Sequence, residues 1–145
     1  MQTVPLIETK SMVIHPDKRY LIDTNILVYS VTPNSENHLL SIEFISSILE
    51  SGASAYISTP NILEFQRIVS KPTNKSQNQV IYEAIDVFMS EMELIYEDAS
   101  TWAVYKKLNK KYEPTSNKIF DLWLASTAIA NGIDIIATNN VKDFE

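Results

Sequence analysis

The chain has 145 residues, 45% of them hydrophobic, with a net charge of −6 and no cysteine. That length and apolar content suit one domain with a real core, while the missing cysteines exclude disulfides, thiolate nucleophiles and zinc-thiolate sites, and His15 and His38 are too few for a zinc cluster. The acidic balance speaks against a general nucleic-acid coat, whose affinity rests on Lys and Arg against phosphate, although Lys106, Lys107, Lys110, Lys111 and Lys118 fall close together.

In chain order, "MQTVPLIETKSMVIHPDKR" has neither the basic region nor the apolar region of a signal peptide. No later apolar run approaches the roughly 18 residues of a membrane span. A soluble cytoplasmic protein without membrane contact is the expectation, with residues 1–18 as an extension and 19–145 as the domain.

"RYLID" reads as a strand, "SENHLLSIEFISSILESG" as a helix and "SAYIST" as a strand. Pro60 opens a helix over "PNILEFQRIVS". Then come a helix at "NQVIYEAIDVFMSE", a strand at "MELIY", helices at "DASTWAVYKKLNKKY" and "SNKIFDLWLASTAIANG", and a strand at "DIIAT". Gly52 and Gly132 each follow a helical pattern and precede an apolar run, as helix C-caps do. Short apolar strands parted by helices predict an α/β fold, a parallel central sheet flanked by helices on both faces. In such sheets ligands bind beyond the carboxyl ends of the strands. Asp23 closes the first strand, "TPNILE" leaves the second and "TNNVKDF" leaves the last, so the three segments can meet at one edge. Tyr29, Phe44, Phe88 and Trp102 belong either to the core or to a dimer surface, with core as the default.

Each acid near that edge has a plain explanation beside a chemical one. Asp23 suits a helix N-cap in "DTNILVYS". Glu64 flanks an apolar face of Ile62, Phe65 and Val69, as many solvated helix acids do. Asp121 lies in a helix apolar almost all round, above Ala125 and Ala128, where burial is expected; Lys118 or the helix N-terminus are its ordinary partners. Asp143 is either a tail acid or a member of the group. Converging carboxylates without His, Cys or excess Arg repel one another when empty. Divalent cations with a preference for hard oxygen, Mg²⁺ or Mn²⁺, relieve that repulsion, and two such ions support phosphodiester hydrolysis.

Together "LIDTNIL", "PNILEF", "KIFDLWLASTA" and "IIATNNVKDFE" resemble the PIN-domain family, most closely the VapC toxin ribonucleases, from about Arg19 to the last residue. The resemblance implies a parallel sheet flanked by helices, a Mg²⁺- or Mn²⁺-dependent endoribonuclease acting on RNA, a homodimer and a cognate antitoxin. It makes Asp23, Glu64 and Asp121 metal-binding catalytic residues, with Asn25 and Thr138 as polar partners behind them. Family members often carry an acid where Asn140 stands, so the fourth ligand is either weakened to that amide or supplied by Asp143. In the family a short strand often follows the position of Glu145. The lysines of "YKKLNKKY", at i,i+4 spacing, form a basic stripe opposite Trp102 and Leu108 that serves either RNA backbone or solubility.

Two other enzyme-like α/β readings fail on residues: a HAD-type phosphatase needs an acid where Asn25 stands, and a receiver domain needs a pair of acids before its strand-end Asp and a Lys after a late strand. The alternative from a different class is a catalytically weakened PIN-like protein that binds RNA or a partner without cutting.

Overall fold

The computed structural model describes residues 6–7, 13–70 and 75–138. In chain order the elements are β1 (Leu6–Ile7), β2 (Arg19–Ile22), α1 (Thr24–Ser30), α2 (His38–Ser51), β3 (Ser54–Ser58) and α3 (Thr59–Val69). They continue with α4 (Lys75–Glu91), β4 (Glu93–Ile95), α5 (Ala99–Tyr112), α6 (Lys118–Ala130) and β5 (Ile135–Ala137). The strands form one sheet in the order β1-β5-β2-β3-β4, each pair parallel. The edge strand β1 comes from the stretch before Arg19, Leu6 lying beside Ile136 and Ile7 beside Ala137.

Side chains alternate across a strand, so a strand covered on both faces must be apolar at successive positions. In β2 and β3, Tyr20, Ile22, Ala55 and Ile57 turn to one face, where they pack with Ile26 and Leu27 of α1, Phe44 and Ile48 of α2, Phe65 of α3 and Phe88 of α4. Leu21 and Tyr56 turn to the other and join Ile95, Ala128, Ile133 and Ile136. Helices α1 to α4 therefore cover one face, and α6, with α5 packed against it, covers the other. This is the three-layer α/β sandwich expected from the sequence. No helix among the described residues is long and apolar enough to cross a membrane.

Local chemistry sets several boundaries. Gly52 ends α2 at φ 85°, a left-handed conformation in which a Cβ would be strained. Ser58 caps α3 by accepting from the backbone N–H of Asn61, and Pro60 lies in the first turn. Asp98 caps α5 in a reciprocal box: its carboxylate accepts from the backbone of Ser100 and Thr101, while the Thr101 hydroxyl accepts from the Asp98 N–H.

The Ser100 hydroxyl, then the Thr101 N–H, hold the Asp98 carboxyl below its ordinary value of 3.8. A depressed carboxyl contributes stability that is present above the unfolded pKa and is lost as pH falls through the folded one. Asp98→Ala is therefore expected to lower the melting temperature near neutral pH, and the gap to wild type narrows as pH falls below about 4. Thermal melts of both proteins across that range check it; a gap that stays constant would assign the cap no ionic part.

Two expectations about the helices are corrected. Phe44 and Phe88 are core, but Tyr29 is half-buried and Trp102 is exposed. The Trp102 ring packs with Tyr105 of its own helix and with Trp123 of α6. The start of α6 is not buried either. Ile119 and Phe120 face solvent, Phe120 74% exposed, and full burial begins only at Ser126 to Ala128. One sheet face and one neighbouring helix cannot cover a helix that is apolar all round.

Candidate active site

Asp23 stands directly after β2, the middle strand of the sheet, and begins α1. Both readings of this residue hold in the geometry. It is the N-cap, its Oδ1 accepting from Thr24 N at 2.9 Å. It also lies at the carboxyl edge of the strands, its N–H bonded to the carbonyl of Ala137 at 2.9 Å. Thr138, one residue beyond β5 and fully buried, donates its hydroxyl to Asp23 Oδ2 at 2.8 Å. The edge brings β2 and β5 together because the two strands are adjacent and in register, Ile22 beside Ala137.

Glu64 reaches the same edge from α3. Its Oε2 accepts from the Thr24 hydroxyl at 3.0 Å, so one threonine touches both carboxylates, Asp23 by its backbone and Glu64 by its side chain. Thr24 itself is buried. Glu64 remains about half exposed and has a basic neighbour, Arg67 one turn on, at 3.8 Å. At that exposure the pair contributes little to stability.

Asp121 lies half-buried in the first turn of α6. Its expected burial in a small-residue stripe is corrected, because the Ala128 end of the helix is the end that meets the sheet. Among the described residues no group of three or more His, Cys, Asp or Glu side chains is arranged around a single ion. Asn25 is half-buried in α1. Asn140 and Asp143 lie outside the described residues. Lys106, Lys107, Lys110 and Lys111 are all exposed on α5.

Two residues at the edge were not singled out in the sequence. One is Thr24, hidden in "DTN". The other is Asn61, 2% exposed, whose amide nitrogen is 3.4 Å from both the Ile22 carbonyl and Asp23 Oδ1. The available signal was a polar residue inside the first turn of a helix whose next buried position is Phe65.

The PIN domain family model matches residues 20–145. The chain belongs to the PIN domain family. The VapBC2 complex from Rickettsia felis, solved with a DNA fragment from its promoter, is 31% identical at a TM-score of 0.65, over 87% of this chain and 90% of that one. VapBC-1 from nontypeable Haemophilus influenzae is 20% identical at a TM-score of 0.63, over 87% and 90%. VapC20 of Mycobacterium tuberculosis, a toxin that cleaves the sarcin-ricin loop, is 10% identical at a TM-score of 0.60, over 83% and 90%. The last two likenesses are of fold. No curated protein matches the sequence. In this PIN domain, Asp23 and Glu64 thus occupy the strand-end edge of an α/β sheet that resembles those of the VapC structures.

The donor set at that edge suits a hard dication. Asp23 and Glu64 offer carboxylate oxygens, and the hydroxyls and amide that bond them fix their orientation. One or two carboxylates, with waters and substrate phosphate oxygens, are a usual magnesium complement.

Proposed function

We propose that this PIN domain is a Mg²⁺- or Mn²⁺-dependent endoribonuclease, the toxin of a toxin-antitoxin pair. The observation that carries the reading is the Asp23 carboxylate at the middle of the strand-end edge, tied through Thr24 to Glu64. Membership of the PIN family and likeness to the VapBC2 complex support it. Asp23, Glu64, Asp121 and Asp143 are the residues that would hold metal, with Asn25, Thr138 and Asn140 behind them. Either Asn140 or Asp143 fills the last place. The partners in this reading are RNA, a cognate antitoxin and a second copy of the chain, in the cytoplasm.

When bound, Mg²⁺ or Mn²⁺ supplies a water of lowered pKa and charge stabilisation on the leaving oxygen. The chain's part is to orient. Thr138 and Thr24 hold the two oxygens of the Asp23 carboxylate from opposite elements, and Thr24 fixes Glu64 as well, so neither carboxylate has to reorganise during reaction. Lys106, Lys107, Lys110 and Lys111 are the candidate contacts to RNA phosphates, the net charge of −6 leaving few others grouped together.

An ion that binds the folded state alone should stabilise it by about 2.7 kcal/mol at a hundredfold excess over its dissociation constant. Mg²⁺ and Mn²⁺ at millimolar concentration are therefore expected to raise the melting temperature, and mixed RNA to be cut only when they are present. Melting unchanged by either ion would remove the metal site. Stabilisation by the ions without RNA cleavage would favour the binding-module alternative, which Asn140 and the acidic balance of the chain support.

A further inference from the structure

Asn61 is buried to 2% exposure, and its neighbours leave one orientation for its amide. On one side stand the Ile22 carbonyl and Asp23 Oδ1, each 3.4 Å from Nδ2; both only accept, so the NH₂ group must face them. On the other side stands the Ser58 hydroxyl, which donates to Asn61 Oδ1 and accepts from the Asn61 backbone N–H at 3.3 Å. Rotating the amide would set oxygen against two acceptors. From the first turn of α3 the side chain thus links the backbone at the end of β2 to the Ser58 hydroxyl at the end of β3.

From this geometry we propose that Asn61 is a positioning residue for the Asp23 carboxylate, setting its plane for metal and fixing the distance to Glu64, three residues along the same helix. The inference rests on the metal-site reading above. Asp23 Oδ1 meets two donors, the Thr24 N–H and the Asn61 amide, while Oδ2 meets the Thr138 hydroxyl. Thr24 N belongs to α1 and cannot adjust independently of Asp23. Asn61 comes from α3, so its donor couples the orientation of one proposed ligand to the helix that bears the other. Ser58, fully buried, holds the far end of the amide and keeps it aimed.

The test measures Mn²⁺ affinity of the full chain by calorimetry without RNA, at a temperature where melting shows each variant folded. Asn61→Leu keeps the volume and removes both N–H groups; Asn61→Ala removes the side chain. Each is expected to weaken Mn²⁺ binding about ten- to hundredfold, as loss of a group behind a metal ligand does. Combined with Thr138→Val, which removes the hydroxyl from the other oxygen of the same carboxylate, the loss is expected to be non-additive. If neither Asn61 variant folds, Ser58→Ala is the substitute, with a weaker loss in the same direction. Folded variants that bind Mn²⁺ like wild type would overturn the inference and leave the metal reading standing. A wild type that binds no Mn²⁺ would overturn both.

Discussion

Asp23→Asn is expected to reduce RNA cleavage by at least about a hundredfold while leaving the fold intact. The two roles of Asp23 make this substitution informative. As an N-cap, asparagine is as good as aspartate, so α1 keeps its cap and the melting temperature should hold. As a proposed metal-holding group, asparagine loses the negative charge and gives one of its two terminal positions to a donor, which then faces either the Thr24 N–H or the Thr138 hydroxyl. Single-turnover cleavage of mixed RNA at saturating Mn²⁺ measures the first effect and thermal melting the second. A rate within about threefold of wild type would reduce Asp23 to its capping role, since that is under 1 kcal/mol of transition-state stabilisation.

The sheet was legible because buried parallel strands leave a simple trace: "YLI", "AYIS" and "IIA" are apolar without alternation, and a carboxylate interrupting such a pattern stands out. Helix α1 appeared only as the capping explanation of Asp23, since seven residues give too little periodicity to read. The Thr24 to Glu64 and Asn61 to Asp23 bonds join residues 40 and 38 positions apart, and such pairs exist only once β2 and β3 lie side by side. Asp121 misled for the opposite reason. An apolar helix was read as a buried one, whereas the sequence pattern states how much surface could be covered and not how much the neighbours can reach. Arg67 was within reach of sequence reasoning, because i,i+3 from Glu64 is a standard helix pairing.

The largest loss of stability is expected at Phe65, the residue that seats α3 on the core. It is fully buried and meets Phe88 of α4 edge to face, with ring centroids 5.2 Å apart and planes at 80°. Phe65→Ala removes that contact and leaves a cavity among Ile57, Phe88 and their neighbours, which costs about 3–5 kcal/mol. Against a typical total of about 5–15 kcal/mol, that is a large part of the fold's margin. Phe65→Leu refills most of the space and should cost distinctly less. Urea titrations are the measurement: the midpoint is expected to fall in the order wild type, Leu, Ala, at a constant slope if the unfolded state is unchanged. Because Glu64 precedes Phe65 on the same helix, cleavage by the Leu variant tests whether Phe65 does more than support α3. If Phe65 only supports α3, cleavage per folded molecule at low temperature stays near wild type in the Leu variant. A Leu variant that is fully folded and yet inactive would instead mean that small shifts of α3 disrupt the coupling of Glu64 to Asp23 through Thr24.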